Sequence, residues 1–203
     1  WADIYYGIIK SEECVPLGHF VNANIAVVSN FSLHKDRAEA IRRGHEGFEF
    51  FSYAMNALVA HDTVPGRTNL WGEYLQQRGD RTEQMVKEAR EQGFRKSGIG
   101  TPDDMKKHLK AFEEVGVDQV IFLQQAGRNK HQHICESLEL FASEVMPLYK
   151  PDAAERARKK NEMLAPYFEA ALKRKQWMKP LGANDVPVVK ASVQQMQIDS
   201  IRG

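Results

Sequence analysis

Trp1, Ile4, Tyr5, Ile8 and Ile9 recur at the spacing of one helical face, so the chain is expected to open on an amphipathic helix. After a loop around residues 16–22, Asn24-Ile25-Ala26-Val27-Val28-Ser29 is a short apolar, β-branched run, the kind buried on both faces of a parallel sheet. Residues 36–60 then take up a helical period, with Ile41, Phe48, Phe51, Met55 and Leu58 as expected buried positions. Strand followed by helix makes one βα unit.

The turn formers of HDTVPGRTN interrupt the pattern at residues 61–69, and a more polar helical stretch runs to residue 92. Residues 61–94 thus read as an inserted helical excursion. Residues 95–100 form a weak strand. Thr101-Pro102-Asp103-Asp104 behind it is a strong helix start: a Thr cap, Pro at the first helical position and acids in the first turn. That helix should run to about residue 115 and close at Gly116, with a buried strand over residues 118–123, a loop over 124–129 and a helix to residue 146. Two clear βα units and a weaker one predict an α/β fold with helices over a parallel sheet. Residues 152–176 read as a basic helix and 177–203 as an extended tail on its own or another subunit, which divides the chain at about residue 150.

Composition narrows the function classes. With 203 residues and 42% hydrophobic content, the chain is long enough for one sizeable core. Its 28 basic and 27 acidic residues leave a net charge of +1, which gives no field for nucleic acid or an anionic membrane. Two cysteines, Cys14 and Cys135, make no disulfide framework and suit a reducing cytoplasm. No apolar run approaches the roughly 20 residues that span a bilayer. The chain begins at Trp1 without an initiator Met, already inside its first amphipathic pattern, a start that processing, an engineered terminus or a missing upstream part would each explain.

Three βα units cannot close a barrel of eight strands. Residues 100–147, GTPDDMKKHLKAFEEVGVDQVIFLQQAGRNKHQHICESLELFASEVMP, nevertheless resemble the closing segment of the bacterial luciferase-like flavin-dependent monooxygenases. The likeness lies in the Gly-Thr-Pro helix start, the Ala-Phe-x-x-x-Gly-Val-Asp turn, and then Ser-Leu-x-x-Phe-Ala and Val-Met-Pro. NANIAVVSNFSLHKDRAEAIRRG is similar to that family's sixth strand and the helix after it, so the resemblance covers residues 23–147, with 1–16 as the preceding helix. It implies the C-terminal portion of a (β/α)8 TIM barrel, about strands 6–8 with their helices, forming an open partial parallel sheet.

The resemblance further implies a parent enzyme that oxygenates a small organic substrate, such as an aldehyde, alkane, sulfonate or terpene ketone, with reduced flavin (FMN) and O2, supplied by a flavin reductase. Some relatives transfer hydride with the deazaflavin F420 instead. A rival expectation is a truncated, non-catalytic remnant acting as an interaction or scaffold module. Most flavin contacts would come from upstream strands, and an open sheet edge invites pairing with a missing N-terminal half or a homo-oligomer. The chain alone is expected not to hold flavin tightly.

Two segments are candidates for the rim of such a site. In the loop Gln124-Gln125-Ala126-Gly127-Arg128-Asn129-Lys130, Gln124, Gln125, Gly127 and Arg128 are candidate cofactor contacts, because amides and cations before a helix N-terminus attract anions. The alternative is that Arg128 pairs with a carboxylate and Gly127 only permits the turn. In the strand end Asn30-Phe31-Ser32-Leu33-His34, Asn30 and Ser32 are candidate cofactor contacts and His34 a candidate acid/base group. There the alternative is that Ser32 or His34 caps the next helix.

Other patterns carry less. Gly98-Ile99-Gly100-Thr101 is a capping sequence rather than a phosphate cradle, because Asp103 and Asp104 would repel an anion. In His131-x-His133-x-Cys135 only His131 and Cys135 share a helical face, so no metal site is expected. Trp71 is expected to anchor the inserted helix rather than ride on a mobile cover. No serine or cysteine stands in a nucleophile setting recognisable from sequence.

Overall fold

The computed structural model describes residues 1–60, 66–79, 98–176 and 182. Six α-helices and four short strands alternate through them: α1 (Ala2–Lys10), β1 (Ala26–Asn30), β2 (Ser32–Leu33), α2 (Arg37–Ala60), α3 (Leu70–Arg78), β3 (Ile99–Gly100), α4 (Pro102–Glu114), β4 (Gln119–Leu123), α5 (His131–Glu144) and α6 (Ala153–Arg174). A 3-10 turn, Met146–Leu148, joins α5 to α6. The predicted turn at 61–65, most of the polar stretch to residue 92, the first part of the weak strand and nearly all of the tail lie outside the described residues.

The best-formed unit is the one with the clearest local chemistry. At the start of α4, the Thr101 hydroxyl accepts from the Asp104 N–H at 3.3 Å while the Asp104 carboxylate accepts from the Thr101 N–H at 3.0 Å, a reciprocal capping box. At its end Gly116, at φ +79, donates to Glu113 and Val117 donates to Phe112, both at 3.0 Å. This pair of bonds satisfies the last carbonyls of α4 and turns the chain directly into β4.

The described strands pair in parallel. β1 pairs with β4 from Ala26 opposite Gln119 to Asn30 opposite Leu123, and β2 pairs with β3, Ser32 opposite Ile99 and Leu33 opposite Gly100. Phe31 separates β1 from β2, so one run of chain meets β4 over its first part and β3 over its last. A closed barrel would place neighbours in chain order, with β3 between β2 and β4. The described strands instead form two parallel pairs and close no barrel.

The core lies on one side of these strands. Phe31, Leu33, Met105, Leu109 and Val145 are buried together, with Val120, Phe122 and Phe141 packed against them. The rings of Phe31, Phe122 and Phe141 lie 4.7 to 5.7 Å apart at tilted or edge-on angles, which their quadrupoles favour. Alternation sends the neighbouring residues to the opposite face, where Val28 is 60% exposed and Ile121 45%. Among the described residues helices cover one face of the β1–β4 pair and leave the other bare.

Two helices depart from the expected buried faces. Only half of the apolar stripe on α1 is used: Tyr5 and Ile9, joined by Tyr6, pack with Ala23, Leu164 and Phe168, while Trp1, Ile4 and Ile8 stay exposed. In α2, Ile41 is buried and Phe48 packs with Ala40, Ile41 and Ile99, but Met55 and Leu58 remain exposed. The closest approaches of α2 are made by glycines: a Cβ on Gly44 would lie 2.3 Å from the Ser32 Cβ, and one on Gly47 2.3 Å from the Ala126 carbonyl oxygen. Hydrophobic periodicity weights large side chains and is blind to contacts made through backbone.

Candidate functional site

The ends of β1 and β4 stand side by side, so both candidate segments begin at the same end of the sheet. Beyond that point they part. The Asn30 carboxamide oxygen accepts from the Gly98 N–H at 2.8 Å, and a Cβ on Gly98 would come within 2.1 Å of the Asn30 carbonyl oxygen. Ser32, 5% exposed, donates from its hydroxyl to the Ala40 carbonyl at 3.0 Å. Both residues therefore hold β3 and α2 against the strand.

His34 is partly exposed, and its Nδ1 accepts from the Asp36 N–H at 3.0 Å. The cap of α2 comes from neither Ser32 nor His34. Asp36 supplies it, its carboxylate accepting from the Glu39 N–H at 3.0 Å. One helical turn on, Arg43 bonds both Glu39 and Glu136 and so ties α2 to α5. The Arg42 guanidinium, and then that of Arg43, hold the Glu39 carboxyl well below the usual carboxylate range.

The loop after β4 folds back onto α2 and α3. Gly127 takes φ +57, a left-handed conformation that favours glycine, and a Cβ there would lie 2.9 Å from Gly47 Cα and 3.3 Å from the Trp71 ring. The Arg128 guanidinium sits 4.7 Å from the centre of that ring, a cation–π contact rather than the carboxylate pair considered from sequence. Trp71 also packs edge-on with Phe50 at 4.8 Å and lies 5.6 Å from Tyr74, which anchors α3 on α2. Asn129 donates from its carboxamide to the Gln124 carbonyl at 2.9 Å and closes the loop, while Gln125 is exposed. Two polar atoms in this region, Gln124 Oε1 and Trp71 Nε1, are buried without a hydrogen-bond partner.

Two clusters escaped the sequence reading. Ser29 Oγ and His108 Nε2 lie 2.8 Å apart, both residues buried, with the imidazole edge-on to Phe112 at 4.8 Å. Burial holds the His108 imidazole below its ordinary pKa of 6.5. Seventy-nine positions separate the two residues, so no local pattern announces the pair. The second is Asp118, whose carboxylate accepts from the Ile25 N–H at 2.9 Å, from Lys160 Nζ at 2.8 Å and from the Tyr6 hydroxyl. Burial pushes this carboxyl up, but the Lys160 ammonium, the Tyr6 hydroxyl and the Ile25 amide together outweigh it and hold it low. Burial, and then the same carboxylate, drive the Tyr6 hydroxyl upward. Asp118 thereby joins α1, the start of β1, β4 and α6.

The described residues do not fit a flavin by themselves. Asn30 and Ser32 are committed inside the fold, and the face of Gly127 is filled by Gly47 and Trp71. No catalytic step is therefore assigned through that cofactor. Among the described residues no group of three or more His, Cys, Asp and Glu side chains is placed to hold a metal ion. His131 Nε2 and Cys135 Sγ do share a face, 3.5 Å apart. No described helix is long and apolar enough to cross a membrane. Comparison with protein-family models, curated proteins and solved structures finds no match.

Proposed function

We propose that this chain forms closing βα units of a luciferase-like flavin-dependent monooxygenase, the C-terminal portion of a (β/α)8 barrel, and that it contributes scaffold and rim to a site completed by other strands. One observation carries the reading. The residues of the resembling motifs fall at successive joints of one βα layer: Thr101 caps α4, Gly116 ends it, Asp118 ties the start of β4 to the start of β1, and Ser137 of α5 bonds the backbone of Leu33. Among the described residues helices cover one face of β1 and β4, as the outer helices of a parallel barrel do, although β1 pairs β4 directly where a barrel would set β3 between them.

When bound, the cofactor would supply the oxygen chemistry, and protein would supply position and dryness. The same scaffold suits a deazaflavin-dependent hydride transfer. A non-catalytic interaction module is favoured by the internal commitment of Asn30 and Ser32.

The test supplies FMN, a flavin reductase and isotope-labelled dioxygen to the protein expressed from its complete coding sequence, with small organic substrates. Incorporation of one labelled oxygen atom into a product supports the reading, and the 203-residue chain alone should give none. Hydride transfer from reduced deazaflavin without incorporation selects the oxidoreductase. Tight flavin binding by the 203-residue chain, or a complete protein inert towards both cofactors, overturns the proposal.

A further inference from the structure

At the start of β4, away from the Gln124 loop, the helical layer forms a half-open cavity of about 570 Å3. That volume is in the roughly 300–1,000 Å3 range of small-molecule sites. Its inner wall is apolar and largely aromatic, made by Leu109, Phe112, Phe122 and Phe141. The bonds that end α4 at Gly116 bring Phe112 and Val117 to one side, and on the other α6 presents the small Ala153 and Ala157 beside Arg156 and Lys160.

The polar groups at the cavity are already matched. Lys160 pairs with Asp118 at 2.8 Å, and Arg156 Nη1 stands 4.0 Å from Glu113, both of the latter about half exposed. Two cations and two anions cancel, so a charged ligand would have to break a pair. The Arg156–Glu113 pair is loose enough for the guanidinium to donate one hydrogen bond to an uncharged oxygen.

We propose that this cavity binds an uncharged, elongated, mainly apolar molecule with a single hydrogen-bond acceptor, such as a medium-chain alcohol, whose chain lies against Phe122 and Phe141 and whose oxygen faces Arg156. This site is distinct from the rim at the other end of the strands. It needs no flavin, so its failure and that of the proposed function are separable.

The test titrates the 203-residue chain, carrying isotope-labelled methionine methyls, with decanol and follows Met146 at the cavity and Met55 on α2 by NMR. Met146 should shift saturably with one decanol per chain while Met55 stays put. Ala157→Phe and Ala153→Phe, each filling the space, should each weaken binding at least tenfold with the helical circular dichroism unchanged, so the result stands if either variant fails to fold. Decanoate should bind at least tenfold more weakly than decanol. No saturable shift at Met146, unchanged affinity in a folded filling variant, or decanoate binding as tightly as decanol would each overturn the proposal.

Discussion

The Ser137 hydroxyl donates to the Leu33 carbonyl at 2.9 Å and accepts from the Leu33 N–H at 3.1 Å, so one side chain of α5 serves as the strand partner that Leu33 lacks on that side. Across the strand the backbone is paired in the ordinary way, the N–H groups of Ser32 and His34 donating to Gly98 and Gly100.

Ser137→Ala removes both bonds at a place where water cannot replace them, since Ser137 is 2% and Leu33 1% exposed. Each buried polar group left unmade costs about 1–3 kcal/mol. A loss of about 2–4 kcal/mol in urea unfolding is expected, and a loss below about 0.5 kcal/mol would show that the backbone finds another partner.

Asp118 links stability to acid pH. Its folded pKa lies below its unfolded one, so its contribution is present above the ordinary carboxylate value of about 3.9 and is lost as pH falls through the folded value. Asp118→Asn should lose about 1.5–3 kcal/mol near neutral pH and show a shallower acid-unfolding curve below about pH 4. Urea midpoints across that range check both effects.

His108 acts at higher pH. Its folded pKa is also depressed, by burial, so stability is full above 6.5 and declines as pH falls towards the folded value. His108→Gln, which carries no proton to gain, should flatten the dependence of unfolding free energy on pH just below 6.5. An unchanged slope there would assign the dependence to another group.

Gly47→Ala places a methyl group 2.3 Å from both the Ala126 carbonyl oxygen and Asn129 Oδ1. Backbone must move to admit it, at an expected cost of about 1–3 kcal/mol. The same displacement should lift Arg128 from Trp71 and change the tryptophan emission. A variant with native stability and emission would mean that the loop rests on α2 without depending on that contact.

What sequence made legible was local. Thr101, Pro102 and Asp104 lie within one turn and declare the start of α4, and Gly116 and Val117 end it with bonds to residues three and five positions back, respectively. The strand and helix order followed from the same short-range signals. The sequence offers Asn30 and Ser32 as cofactor contacts at a strand end, but the partners they take, Gly98 and Ala40, depend on which strand and helix arrive beside them. The pairings of Ser29 with His108 and of Tyr6 with Asp118 span longer intervals still, and that of Lys160 with Asp118 also bridges distant elements. For Arg128 the sequence offers a cofactor contact or a carboxylate pair, and neither local pattern points to the aromatic ring on α3 over which its guanidinium sits.

The β1–β4 pair also imposes an order on synthesis. Ile25 meets Asp118 across 93 positions of sequence, and the ladder from Ala26 to Asn30 continues in the same register. At about 5–20 residues per second, β1 leaves the ribosome roughly 5–20 s before its partner exists. During that interval Val27 and Val28 have no β4 beside them. The β4-facing edge of β1 thus stays open to any other strand until β4 emerges.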